Sequence, residues 1–218
     1  MTTQSEENYI KAIFHLTGVK NESVSTNAIA EEMETKASSV TDMIKKLSDK
    51  DLVKYKKYQG VQLTEKGRLL GAKIIRKHRL WEVFLVEKLN FSWDEVHDVA
   101  EQLEHIKSEK LVEELDSFLE FPKVDPHGDP IPDKNGKIRQ QEKVLLSACK
   151  LKEKGLLVGV KNSSSEFLQY LDKIKIALGD VLEIIEKEPF DNSMIIKTRH
   201  GEINISALIA NNIFIKKL

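Results

Sequence analysis

Along the first half of the chain, apolar residues recur every three to four positions, the spacing of amphipathic helices. In the last third they tend to recur every two, the spacing of half-buried strands. Tyr9, Ile10, Ile13, Phe14 and Leu16 give the apolar face of a first helix opening near Ser5, which Gly18 stops. Ser25 or Thr26 caps a short second helix with Ile29, Ala30 and Met33 inward. Ser38 and Ser39 open a third, running to about Asp49, with Val40, Ile44 and Leu47 inward. Leu52–Tyr55 and Val61–Thr64 alternate around a Lys-Lys-Tyr-Gln-Gly turn and predict a two-stranded hairpin. Thr64 then caps a long helix reaching about Leu89, Ser92 a fifth over Trp93–His105, and Ser108 a sixth over Glu109–Leu119.

Phe121–Gly136 holds all but one of the five prolines, together with Gly128 and Gly136, and reads as a linker with little regular structure. His127 within it reads as a loop residue rather than a ligand. Beyond about Gln141, strands are expected at Leu156–Val160, Val181–Glu186, Met194–Thr198, Glu202–Ile205 and Ile213–Lys216, with a hairpin turn at Arg199–Gly201 and a short helix over Ser165–Leu171. Short strands at this density predict a small β-barrel. The expected fold is mostly α with a β-rich C-terminal domain. Its parts are a winged helix-turn-helix at 1–64, a helical segment with a Pro-rich linker at 65–135, and a small SH3-like barrel at 141–218.

Helix, helix-turn-helix and basic hairpin is the element order of a winged helix-turn-helix, and charge sharpens that reading. The net charge of −1 over 218 residues says nothing about partners, but its distribution does. Lys36 to Arg76 holds eleven Lys and Arg against four Asp and Glu, a net of +7, and Ser92 to Glu120 carries a net of −8. A basic third followed by an acidic segment suggests a polyanion-binding part and a cation-binding part. Lys36, Ser38, Ser39, Thr41 and Asp42, at the start of the third helix, are suited to reach base edges or phosphates in a major groove. Lys45, Lys46, Lys54, Lys56 and Lys57, with Tyr55 and Tyr58 beside the wing lysines, suit backbone contacts, which give affinity without sequence information. The bland alternative is a small helical domain with a lysine-rich surface. The fourth helix carries Ile74, Ile75, Leu80, Trp81, Phe84, Leu85 and Leu89, more apolar surface than one small domain needs, and suggests either a dimer interface or packing on its own core.

The acidic segment holds the densest chemistry. At about 100° per residue, His97, Glu101, Glu104 and His105 fall near 0°, 40°, −20° and 80°, on one helix face. His78 and Glu82 stand one turn apart on the helix before it. Imidazole with carboxylate suits first-row divalent ions; the alternative is a solvated helix whose His and Glu pair across turns. The single cysteine, Cys149, excludes an internal disulfide and a thiolate cluster. With no signal peptide at the N-terminus and no apolar run near 18 residues, a soluble cytoplasmic protein without a membrane partner is expected.

These motifs resemble the diphtheria toxin repressor family of metal-dependent transcriptional repressors, manganese transport regulators included. The resemblance rests on Met1-Thr-Thr, Asn8-Tyr-Ile, Ser38-Ser-Val-Thr, Lys57-Tyr-x-Gly60, Leu63-Thr-x-Lys-Gly67, Lys77-His-Arg-Leu-x-Glu82, Val96-His-Asp98, Glu104-His105 and Asp125-Pro-His-Gly-Asp-Pro-Ile-Pro. The tail, through Tyr170-Leu-Asp172, Leu178-Gly-Asp180 and Ile213-Phe-Ile215, resembles the FeoA-like third domain of longer members. The resemblance implies a homodimer on a palindromic duplex operator, repressing metal-uptake or homeostasis genes when the ion is plentiful, with no organic cofactor and no enzyme activity. It implies a primary site of Glu101, Glu104, His105 and Asn8, and an ancillary site of His78, Glu82 and His97 completed by Glu166. Glu101 stands where iron-tuned members carry cysteine, so Mn2+ is expected before Fe2+. Asn8 and Lys11 depart from the manganese pattern; Asn8 offers a neutral carbonyl oxygen, and Lys11 cannot ligate. Two rivals stand beside this reading: a winged-helix regulator of an organic ligand, and a metalloenzyme, for which a second paired ligand motif is missing.

Overall fold

Thr3 starts the first helix, not Ser5. Its hydroxyl accepts from the Glu6 amide while the Glu6 carboxylate accepts from the Thr3 amide, and this reciprocal cap begins α1 (Gln4–Thr17). The computed structural model describes residues 2–218 apart from Val19, Lys57, Tyr58, Gln140 and Gln141. Ser25 caps α2 (Thr26–Glu32), and α3 runs Ala37–Asp49. β1 (Val53–Lys56) and β2 (Gly60–Leu63) pair antiparallel with Val53 opposite Leu63, the expected wing. Ile10, Ile13, Ile29, Val40, Ile44, Leu47, Val61 and Ile74 close the core beneath them. Thr64 folds its hydroxyl onto the Gly67 amide at the start of α4 (Glu65–Leu89). Among the residues proposed for DNA, Lys36, Ser38, Ser39, Asp42, Lys45, Lys46 and Lys56 are exposed and Thr41 is half-buried. Lys57 and Tyr58 lie outside the described residues.

The fifth helix is shorter than its periodicity suggested. α5 spans Val96–Leu103, so Glu104 and His105 sit in the turn that follows, although the Glu104 amide still bonds the Ala100 carbonyl. α6 is Glu109–Phe118. The chain divides into two compact units. One comprises residues 1–81, 100–114 and 131–138, and the other 82–99, 115–130 and 139–218, so α4 and α5 each contribute to both. Most of the apolar surface of α4 serves the chain's own packing: Ile74, Ile75, Leu80 and Leu85 are buried. What remains exposed nearby in the second unit is Leu89, Phe118 and Phe121.

The C-terminal strands form one antiparallel sheet in the order β3-β8-β4-β5-β6-β7: Val144–Leu145, Ile213–Lys217, Lys154–Val160, Val181–Lys187, Met194–Thr198 and Gly201–Ile205. β3, a 3-10 turn at Leu146–Ala148 and the short α8 (Ala207–Ala210) are too short for periodicity to announce. α7 (Ser165–Lys173) buries Leu168 and Leu171 in the core with Leu157, Leu182, Ile184, Ile196 and Ile215.

The Pro-rich stretch is not a loose linker. Asp125 accepts from the His127 and Asp129 amides, Val124 bridges Pro130, and the Val160 amide of β4 donates to the His127 carbonyl. Gly128 has φ +85, and a Cβ there would stand 2.0 Å from the Val158 carbonyl oxygen, so only glycine lets the loop lie against β4.

Candidate metal centres

The first unit gathers one set of donors. α1 presents Glu7 and Lys11 one turn apart, α4 presents His78, and the end of α5 presents Glu101, Glu104 and His105. His105 donates from Nδ1 to a Glu7 oxygen at 2.7 Å, which leaves Nε2 facing Glu104 at 3.8 Å. A carboxylate that fixes the tautomer and direction of an imidazole in this way is the usual outer partner of a metal-binding histidine. His78 Nδ1 lies 2.7 Å from Glu104 Oε2. The Lys11 ammonium reaches Glu104 at 2.7 Å, Glu101 at 3.2 Å and His78 Nδ1 at 3.3 Å. Glu104 is 1% exposed, and burial acts to raise its carboxyl; His78 and Lys11 outweigh that and hold it below the usual carboxylate value. Two carboxylates and one imidazole meet a single ammonium, with the Glu7–His105 pair beside them, and Lys11 supplies the positive charge there. The N and O donors fit a hard or borderline divalent ion.

Glu7 is the α1 carboxylate that meets this group, through His105. Asn8 is half-buried and makes no side-chain hydrogen bond among the described residues. The helix periodicity carries Glu7 and Lys11 to the same face, a signal the sequence did contain.

The second unit holds another set. Glu82 on α4 and Asp125 and His127 in the Pro-rich loop are all buried, and each places a donor atom within 4.8 Å of the other two. His127 Nδ1 stands 3.7 Å from Glu82 and 3.9 Å from Asp125. Its Nε2 is 2.7 Å from the Trp93 carbonyl, which can only accept, so Nε2 carries a hydrogen and Nδ1 faces the carboxylates. The Trp93 indole stacks on the His127 ring at 6.4 Å and 12°. Burial alone would lower the imidazole; the hydrogen bond and charge of Glu82, with the charge of Asp125, raise it to about 9. Two buried carboxylates facing one imidazole nitrogen again fit a divalent ion, and nothing sulfur-bearing is among them.

Of the residues expected at an ancillary site, His78 and Glu82 stand one turn apart on α4 and His97 Nδ1 is 3.6 Å from Glu82, so that the three place donor atoms within 4.8 Å of one another; the His97 side chain is half exposed. Thus the shared helix face of His97, Glu101, Glu104 and His105 does not make a shared site: His97 turns to Glu82, and the others to α1 and His78. Reading His127 as a loop residue only is corrected, since it is buried against Glu82 and Asp125. Glu166 is exposed in the first turn of α7. That helix is fastened nearby, with Ser165 and Gln169 donating to Asp94 at 2.9 and 2.7 Å and the Trp93 indole donating to Asp172 at 3.0 Å.

Three family models match in series: the iron-dependent repressor N-terminal DNA-binding domain over residues 1–61, the iron-dependent repressor metal-binding and dimerisation domain over 64–133, and the FeoA domain over 144–217. The chain is 34% identical to the HTH-type transcriptional regulator MntR of Oceanobacillus iheyensis over 125 residues, covering 57% of this chain and 84% of that protein. It is 36% identical to the iron-dependent repressor IdeR of Mycobacterium bovis over 104 residues, 48% of this chain and 45% of that one. A solved manganese-dependent transcriptional repressor in complex with manganese superposes with a TM-score of 0.88 at 33% identity, covering 98% of this chain and all of that chain. No helix among the described residues is long and apolar enough to cross a membrane. With its DNA-binding, metal-binding and FeoA segments in this order, the chain belongs to the diphtheria toxin repressor and manganese transport regulator family of metal-dependent, DNA-binding transcriptional repressors.

Proposed function

We propose that this chain represses genes for divalent-metal uptake, with Mn2+ rather than Fe2+ as its corepressor. The observation that carries the choice is Glu101: the primary group offers only oxygen and nitrogen, with no thiolate, which favours the harder ion. Glu101, Glu104 and His105, with Asn8 of α1 and with His78 beside them, would hold the ion, and Glu7 would orient His105. Glu82, Asp125 and His127, with His97 beside them, would hold a second; Glu166 is the residue of the FeoA segment proposed to complete it. A bound divalent ion would supply positive charge to these carboxylates.

The chain's own residues do the rest. Glu7 and His105 link α1 of the reading head to the end of α5, and Lys36, Ser38, Ser39, Thr41 and Asp42 address the major groove while Lys45, Lys46, Lys56, Lys57 and Tyr58 address phosphates. The domain divisions proposed are 1–64, 65–135 and 141–218. Two copies, joined through the apolar residues left exposed at Leu89, Phe118 and Phe121, would read two half-sites of a palindrome. Ion and operator then tighten each other by the same factor. The test is selection of duplexes from a random pool under anaerobic Mn2+, Fe2+ or chelator. Enrichment of one palindrome with Mn2+ but not with chelator supports the proposal. Equal enrichment with chelator overturns it, and enrichment with Fe2+ alone overturns the choice of metal.

A further inference from the structure

Lys11 stands inside the primary group. Its side chain is 12% exposed, and its ammonium lies within hydrogen-bonding distance of three residues, Glu104, Glu101 and His78. Each of them is a residue the proposed ion needs. An ammonium has three donors and no acceptor, so it satisfies these groups as a compact cation would, but it is covalently held to α1. An ion and an ammonium cannot share them: both would lie within a few ångströms, and like charges at that spacing repel strongly in a buried setting. Glu101 is half exposed, so the four-carbon stem has a route by which its head can swing to solvent.

We propose that Lys11 is a tethered cation that competes with the divalent ion for Glu101, Glu104 and His78, and so sets the ion concentration at which this site fills. The inference rests on reading that group as an ion site. In the absence of metal, Lys11 keeps the carboxylates neutralised and α1 tied to the end of α5. With metal, the ammonium has to leave.

Two measurements test this. Mn2+ titration calorimetry on the full chain, on Lys11→Gln and on Lys11→Arg should resolve two classes of site. The class that Glu104→Gln removes should tighten at least tenfold in Lys11→Gln and stay near the wild-type value in Lys11→Arg, and adding Glu104→Gln to Lys11→Gln should abolish the gain. On the unaltered chain, amine-reactive labelling read by mass spectrometry should find Lys11 protected in chelator and several-fold more reactive at Mn2+ saturation. Equal Mn2+ affinity in wild type and Lys11→Gln, or Lys11 reactivity unchanged as the ion binds, overturns the role of Lys11 alone. If no variant shows an ion whose binding Glu104→Gln removes, the metal reading of the site falls and this inference falls with it.

Discussion

The buried imidazole of His127 ties the second metal group to pH. In the metal-free chain its value is raised from 6.5 to about 9, because Glu82 and Asp125 outweigh the opposing effect of burial. Its Nε2 hydrogen is committed to the Trp93 carbonyl, so an ion can be taken only at Nδ1, and only once Nδ1 has lost its proton. At pH 7.5 a group with that value is protonated about thirty times over. Binding at this group should therefore release close to one proton. Its apparent affinity should lie about 30-fold below the high-pH limit, a cost of about 2 kcal/mol. Between pH 6 and 8 the affinity should climb nearly tenfold per unit, flattening above about 9. Titration calorimetry in two buffers of different ionisation enthalpy counts the proton directly, with Glu104→Gln silencing the first group. The His127→Gln variant should bind weakly and release none. Release well under half a proton at pH 7.5, or an affinity independent of pH, would refute the charge state assigned to His127. The same raised value stabilises the metal-free fold: that contribution is complete below pH 6.5 and is lost as pH rises through about 9.

Other outcomes follow from the geometry. Glu104→Ala leaves the Lys11 ammonium without its closest carboxylate, so it should cost about 3 kcal/mol in denaturant unfolding and abolish metal-dependent DNA binding. Because the Glu104 carboxyl is held below its usual 4.5, the stability it adds is present above that pH and lost as pH falls further, which acid titration of wild type against Glu104→Gln will show. Operator affinity should fall linearly with log salt at about 0.9 per phosphate contact, and Lys46→Ala should flatten the slope by about one contact per subunit. Gly128→Ala forces a Cβ against the Val158 carbonyl at positive φ and should lower stability by more than about 2 kcal/mol, read as a fall in melting temperature.

Much of the helical layout was legible because burial on one face leaves a period. Ile10, Ile13 and Phe14, or Val40, Ile44 and Leu47, repeat at helical spacing, and the structure buries all of them. The wing and the five predicted later strands begin and end within about two residues of their alternation, which is the usual scatter of element ends. The misses have local causes. α5 stops at Leu103 although its apolar pattern runs on, since Glu104 and His105 are drawn to His78 and Glu7 instead of continuing the helix. The loop at 121–136 lacks any period, so its prolines and glycines mark irregular backbone truthfully but say nothing of burial. The burial around His127 and Gly128 comes from β4, some 30 residues further on, through the Val160 amide and the space left at Gly128.

By itself, the sequence determined the element order, the basic reading head, the acidic segment and the ligand types. These are properties of neighbouring residues and of period, and the chain carries them wherever it folds. The tertiary structure alone decided which ligands meet. Among the four residues on one helix face, Glu104 meets His78, His105 meets Glu7 and His97 meets Glu82. It brought Glu7 to His105 and Lys11 into the midst of the first group, and it turned His127 from a loop residue into a buried base between two carboxylates. A contact between distant segments depends on packing, and packing leaves no period in the chain to read.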